Sequence, residues 1–167
     1  MWNSRLRVFF KICYNIFMIL VKNKKVSVNY DILDKYTAGI SLFGYEVKSL
    51  KSQQGSFADS FVTIRDGEAY LKSFFIPPYQ SKNTPEGYDK YRERKLLLNK
   101  KELITLEKKV RENRLTLIPL EFILGDRGKI KLVFALAAGL KKHDKREKLK
   151  DRDSKRKIDR TIKNFNK

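Results

Sequence analysis

The side chains in this chain that can do chemistry are mostly cations, and cations at this density neutralise phosphates. Residues 141–167 read KKHDKREKLKDRDSKRKIDRTIKNFNK, with thirteen Lys or Arg against five Asp or Glu, a local charge of +8. A second dense group is Arg92, Arg94 and Lys95, beside Leu96, Leu97 and Leu98. Lys129 and Lys131 fall on one face of an alternating segment, and Lys48 and Lys51 add charge near a bend. Such clusters grip a nucleic-acid backbone without reading its sequence. Tyr45, Tyr79, Tyr88 and Tyr91 offer rings on which bases stack. His143, the sole histidine, offers another inside the basic run HDKR at 143–146.

Catalysis finds no comparable support. The chain has no nucleophile elbow, phosphate loop or paired-histidine motif. Glu46, Asp59, Asp66 and Glu68 are the only carboxylates that suggest a metal-dependent nuclease, and their spacing does not ask for one. Asp66 and Glu68 are better explained by a hairpin. The expectation is a protein with no catalytic residues, no metal and no cofactor. One cysteine, Cys13, excludes an intrachain disulfide or a cysteine-based metal site, and one histidine excludes a histidine cluster. This usage fits a reducing, cytoplasmic compartment.

The whole chain carries +19 over 167 residues, with a pI near 10. Removing the tail's +8 leaves +11 on residues 1–140, so the folded body should also bind an anion. Nucleic acid is the leading partner and an anionic membrane the second. With 41% apolar residues and 12% aromatics, one domain can bury a core. The tail cannot, because only Leu149, Ile158, Ile162 and Phe165 in it are large and apolar. It should be disordered when free and helical when bound to a polyanion.

Residues 1–21, MWNSRLRVFFKICYNIFMILV, superficially resemble a signal peptide. Lys11 and Asn15 interrupt the apolar run, no small-residue cleavage site follows, and the stretch is too short and broken to span a bilayer. Met18 offers a simpler account, with translation beginning there and residues 1–17 a start-site artefact. An amphipathic surface segment is the alternative.

The elements that must position these groups read mainly as strands. Val26, Val28 and Tyr30 alternate with polar residues, a half-buried strand pattern. Residues 31–36 look like a turn or short helix. Residues 38–51 are rich in β-formers and bend at Gly39 and Gly44. Asp66-Gly67 between two β-rich runs signals a hairpin. Residues 79–91 form a loop. Asn99 with Glu102 three residues on reads as a capping box, followed by Leu103, Leu106 and Val110 on one helical face. Residues 115–124 read as a buried strand, 125–128 as a turn, and 129–134 as a partner strand whose Ile130, Leu132 and Phe134 point one way and Lys129 and Lys131 the other. About six strands and one clear helix suggest an antiparallel, OB-fold-like β-barrel, since closure removes exposed edges.

At this point the motifs GYEVKSL (44–50), DGE (66–68), RKLLLN (94–99) and HDKR (143–146), in this order, resemble the SmpB family, the tmRNA- or SsrA-binding proteins of bacterial trans-translation. The resemblance runs from about Val21 to the C-terminus and places the usual start near Met18. It implies a barrel that holds the elbow of the tRNA-like domain of tmRNA. The positions matching its RNA contacts are Asn23, Glu46, Lys48, Arg94, Lys95, Leu97 and Lys131. It further implies a tail that lies in the empty mRNA channel of a stalled 70S ribosome. There His143 stacks on small-subunit ribosomal RNA, Asp144, Lys145 and Arg146 serve tmRNA accommodation, and Ile162 supports tagging. Elongation factor Tu enters indirectly, through alanyl-tmRNA. The protein is expected to be monomeric, with no membrane partner.

Three departures from the family pattern stand out. Thr37 replaces a Glu, Ala138 and Leu140 replace lysines before His143, and Ser154 stands where an aromatic is found in some tails. The expected organisation is an N-terminal extension (1–21), a tmRNA-binding barrel (22–140) and the basic tail (141–167). A general OB-fold RNA-binding or ribosome-associated structural protein is the competing reading.

Overall fold

The computed structural model describes residues 18–80, 84–113, 115–140, and residues 143, 144, 146, 154, 158 and 161. Seven strands make one antiparallel sheet: β1 (Met18–Lys22), β2 (Tyr30–Ile40), β3 (Phe61–Arg65), β4 (Glu68–Lys72), β5 (Arg94–Leu97), β6 (Thr116–Leu124) and β7 (Ile130–Gly139). The order is β1-β6-β3-β4-β5-β2-β7, and β6 also pairs with β7. That last ladder closes the sheet into a barrel and leaves β1 as an extra strand on β6. Among the described residues of the body, three α-helical segments accompany it, α1 (Val26–Asn29), α2 (Gly44–Lys51) and α3 (Lys100–Asn113), with a 3-10 turn at Asp126–Gly128. The expected antiparallel barrel is therefore present.

The inside is filled by alternate residues of the strands and by the helices. Phe57, Phe74 and Phe122 form an aromatic cluster with centroids 4.6, 4.9 and 5.4 Å apart. Leu71, Ile76, Leu96, Leu132 and Phe134 pack in the same core, with Leu50 of α2 and Leu106 of α3. The Asp66-Gly67 turn forms as expected, both residues at positive φ between Arg65 and Glu68. Glu102 accepts the Asn99 N–H at 3.2 Å, which caps α3, and Leu103 and Leu106 are buried.

Three local expectations are corrected. The Val26–Tyr30 alternation is not a strand: residues 26–29 are one helical turn, with Val26 buried. Residues 31–36 are neither a turn nor a short helix but the first half of β2, the eleven-residue strand paired along β7. Residues 44–51 are a helix in place of a bent strand. Its β-rich composition is overridden because Glu46 accepts the Phe43 N–H at 2.9 Å and Leu50 is drawn into the core. The carboxylate in the first turn and Lys48 and Lys51 in the last also suit the helix dipole.

Among the described residues no helix is long and apolar enough to cross a membrane, and no group of His, Cys, Asp and Glu could hold a metal ion.

Candidate nucleic-acid interface

Strand alternation separates the basic residues of RKLL (94–97). Arg94 and Leu96 point into the barrel, while Lys95 and Leu97 point out. Arg94 has no exposed surface. Its Nε donates to Glu46 Oε1 at 3.0 Å, and one terminal nitrogen donates to the carbonyls of Phe74 (2.7 Å) and Arg92 (3.0 Å). The other reaches the Lys90 carbonyl at 3.1 Å and the Tyr88 hydroxyl at 3.3 Å. Glu46 is equally buried. It also receives Arg92 Nε and the Tyr88 hydroxyl on Oε1, at 3.0 and 3.1 Å. Burial alone would raise the Glu46 carboxyl, but hydrogen bonds from Arg92 and the Phe43 N–H and the charge of Arg94 outweigh it and lower it. Burial, and then the negative charge of Glu46, push the Tyr88 hydroxyl up to about 12.

This hub fixes an exposed pair above it. The Arg92 guanidinium lies 4.1 Å from the centroid of the Phe43 ring, and half of Phe43 remains exposed. Tyr45 leans against Phe43 at 5.4 Å and meets Tyr88 edge-on at 4.9 Å.

Leu97 is 59% exposed although β5 is paired with β2 on one side and β4 on the other. The row across the barrel wall is Leu97 on β5, Gly39 on β2 and Lys131 on β7. A Cβ on Gly39 would sit 3.3 Å from Leu97 Cβ, so glycine there lets the leucine lie across the neighbouring strand. A Cβ on Gly125 would likewise sit 3.3 Å from the Lys131 stem, so that lysine runs toward the β6–β7 turn. Arg127 and Gly128 in that turn have positive φ, and Lys51 of α2 reaches to within 3.9 Å of where a Gly128 Cβ would be. The C-terminal end of α2 and the β6–β7 turn therefore carry Lys48, Lys51, Arg127 and Lys129 as a rim, with Lys131 and Leu97 on the adjoining wall. None of the four rim cations has an ion-pair partner among the described residues.

The outer surface of β3, β4 and β5 differs. Lys95 is paired with Glu68, which Tyr70 also hydrogen-bonds, and Lys72 meets Glu93 at 2.6 Å. Arg65 lies near Asp66 and Glu93. A hydrogen bond from Lys95 holds the Glu68 carboxyl below the usual range.

The predicted site residues thus separate. Lys48, Leu97 and Lys131 stand on or beside the rim, while Glu46 and Arg94 lie beneath it, in the hub. Lys95 is outward but paired. Asn23 lies elsewhere, in the turn after β1: its side-chain amide donates to the Pro119 carbonyl at 3.1 Å and its oxygen accepts the Lys25 N–H at 3.3 Å. It borders a cleft of about 440 Å³ with Lys22, Lys24 and Lys25. His143, Asp144 and Arg146 have helical backbone, as do Ser154, Ile158 and Thr161, and His143 Nδ1 lies 3.9 Å from Asp144 Oδ1. Lys145 and Ile162 fall outside the described residues. Of the tyrosines considered for stacking, Tyr88 belongs to the hub, and Tyr91 packs on Phe75 at 5.3 Å while remaining exposed. Phe43 carries a single signal in the sequence, Glu46 at capping-box spacing.

Residues 20–164 match the family model described as SmpB protein. The chain is 43% identical over 147 residues to the SsrA-binding protein of Christiangramia forsetii, covering 88% of this chain and 93% of that one. It is 46% identical over 145 residues to the SsrA-binding protein of Sulfurihydrogenibium sp., covering 87% and 94%. A solved chain described as "tmRNA-SmpB: a journey to the center of the bacterial ribosome" superposes with a TM-score of 0.61 at 40% identity, over 75% of this chain and 91% of that one. With its barrel and basic rim, this chain belongs to the SmpB protein family.

Proposed function

We propose that this protein binds the tRNA-like domain of tmRNA and delivers it to stalled ribosomes. The observation that carries the reading is the rim: four cations without ion-pair partners among the described residues, beside an exposed leucine, on a chain 40% identical to an SmpB studied with tmRNA. Phosphate contacts need charge that is not already neutralised, and shape recognition of folded RNA needs an apolar residue held rigidly outward. Lys48, Leu97 and Lys131 touch the RNA. Glu46 and Arg94 act from beneath by holding α2, Arg92 and Phe43 in place. Asn23 anchors the turn that presents Lys24 and Lys25, and Lys95 contributes after exchanging its Glu68 partner for phosphate.

The tail, residues 141–167, is the second RNA-binding unit, and it orders along small-subunit ribosomal RNA in the empty mRNA channel. His143 stacks there, and Asp144, Lys145, Arg146 and Ile162 serve accommodation and tagging. The protein acts as a monomeric cytoplasmic adaptor and catalyses nothing itself, leaving GTP hydrolysis to elongation factor Tu and peptide transfer to the ribosome.

Competition binding tests this reading. The full chain should hold a tRNA-like-domain transcript against excess random-sequence RNA at physiological salt, and His143→Ala should keep that affinity while losing tagging on stalled ribosomes. Equal affinity for both RNAs would leave only a general RNA-binding protein.

A further inference from the structure

The Phe43–Arg92 pair is built more carefully than a stray surface phenylalanine. Isolated exposed aromatics are common and need no explanation. Here both partners are fixed by one buried carboxylate: Glu46 Oε2 accepts the Phe43 N–H at 2.9 Å, and Glu46 holds Arg92 through Nε at 3.0 Å and through a terminal nitrogen. The Arg92 terminal nitrogen also reaches the Ser41 carbonyl at 3.4 Å, in the segment that leads from β2 to Phe43. The guanidinium is thereby held 4.1 Å from the centroid of the ring. Tyr45 buttresses the ring from within α2, yet half of Phe43 stays open to solvent.

The pair adjoins the cationic rim. Ser41 N–H donates to the Lys95 carbonyl at 2.9 Å, so Phe43 follows directly on the β2–β5 ladder that carries Leu97, and it opens the helix that ends in Lys48 and Lys51. A rigid aromatic with an adjacent guanidinium, set beside phosphate-binding lysines, has the composition of a stacking platform for an unpaired base. We propose that Phe43, held by Arg92 and Glu46, stacks on an unstacked nucleobase of the bound RNA. This rests on the tmRNA-binding reading and adds an aromatic contact to a surface otherwise made of charge and one leucine.

The test uses the full chain and a transcript of the tRNA-like domain of tmRNA. Phe43→Ala should weaken binding about tenfold, because a base–aromatic stack is lost, while the salt dependence stays that of the wild type. Circular dichroism and thermal melting confirm that the variant folds. Trp2 is the only tryptophan in the chain, so Phe43→Trp in a Trp2→Phe background gives one fluorophore at the platform. Its emission should be quenched on RNA binding, with affinity retained. Three results overturn the proposal. The first is unchanged affinity of Phe43→Ala. The second is an affinity loss with a proportionally flatter salt slope, which would mean that Phe43 only positions the Arg92 charge. The third is unquenched emission from a tryptophan variant that binds normally. If the wild-type chain does not bind the transcript, the tmRNA reading itself falls and the stacking proposal falls with it.

Discussion

Two neighbouring regions of this molecule use the same residue types in opposite ways. Around Glu46, positive charge is buried, satisfied and structural. Arg94 has no exposed surface and spends its donors on Glu46, Tyr88 and three carbonyls. A few residues away, at the end of α2 and the β6–β7 turn, Lys48, Lys51, Arg127 and Lys129 carry charge with no ion-pair partner among the described residues. The difference lies in what happens when one side chain is removed. Removing a hub residue leaves buried charge and buried hydrogen-bonding groups short of a partner, whereas removing a rim residue leaves only water. Stability should therefore depend on the hub, and RNA affinity on the rim.

The largest effect should come from breaking the hub. Arg94→Ala removes one partner of a fully buried ion pair and should cost about 3–5 kcal/mol. For a chain of this size that lowers the thermal midpoint by about 10 °C. Lys95→Ala, on the other side of the same strand, should leave the midpoint nearly unchanged. Similar melting curves for the two variants would dissolve the distinction between the regions.

Acid sharpens the same contrast. The Glu46 carboxyl is held below its ordinary value of 4.5, so its contribution to stability is complete above that pH and is lost as pH falls through the lowered value. The wild type should lose stability steeply below pH 4.5, and Glu46→Gln, already weaker at neutral pH, should lose it less steeply. Parallel pH profiles from urea denaturation would place the acid-sensitive group elsewhere.

The smallest expected effects belong to single rim lysines. Lys48→Ala, Lys51→Ala and Lys129→Ala should each reduce the salt slope of tmRNA binding by about one and leave the fold intact. Lys95→Ala should reduce it less, because its charge is already shared with Glu68. A slope reduced most by Lys95→Ala would move the RNA onto the β3–β5 surface.

Much of this was legible in the sequence wherever short-range rules decide. The Asp66-Gly67 hairpin, the cap at Asn99 and the inward row of Ile130, Leu132 and Phe134 all formed as their local patterns require. The sequence was least legible where a distant partner decides. GYEVKSLK reads as a strand by composition and folds as a helix, because Glu46 meets Arg92 and Arg94 from 46 and 48 residues away. RKLL puts one cation and one leucine on each face, so no polar–apolar alternation reveals which cation is buried. Charge counting therefore placed Arg94 at the RNA, although the structure gives it no exposed surface. The role of Phe43 is hard to read for the same reason, since Arg92, its stacking partner, is remote in sequence.

Hydrogen-exchange footprinting of the full chain, with and without a tRNA-like-domain transcript, shows directly whether the RNA sits on the rim. New protection should concentrate at residues 42–51, 94–98 and 125–131, with a smaller gain at residues 23–25 and little change along α3. Protection centred on α3 or on the β3–β4 hairpin, with the rim unaltered, would contradict it.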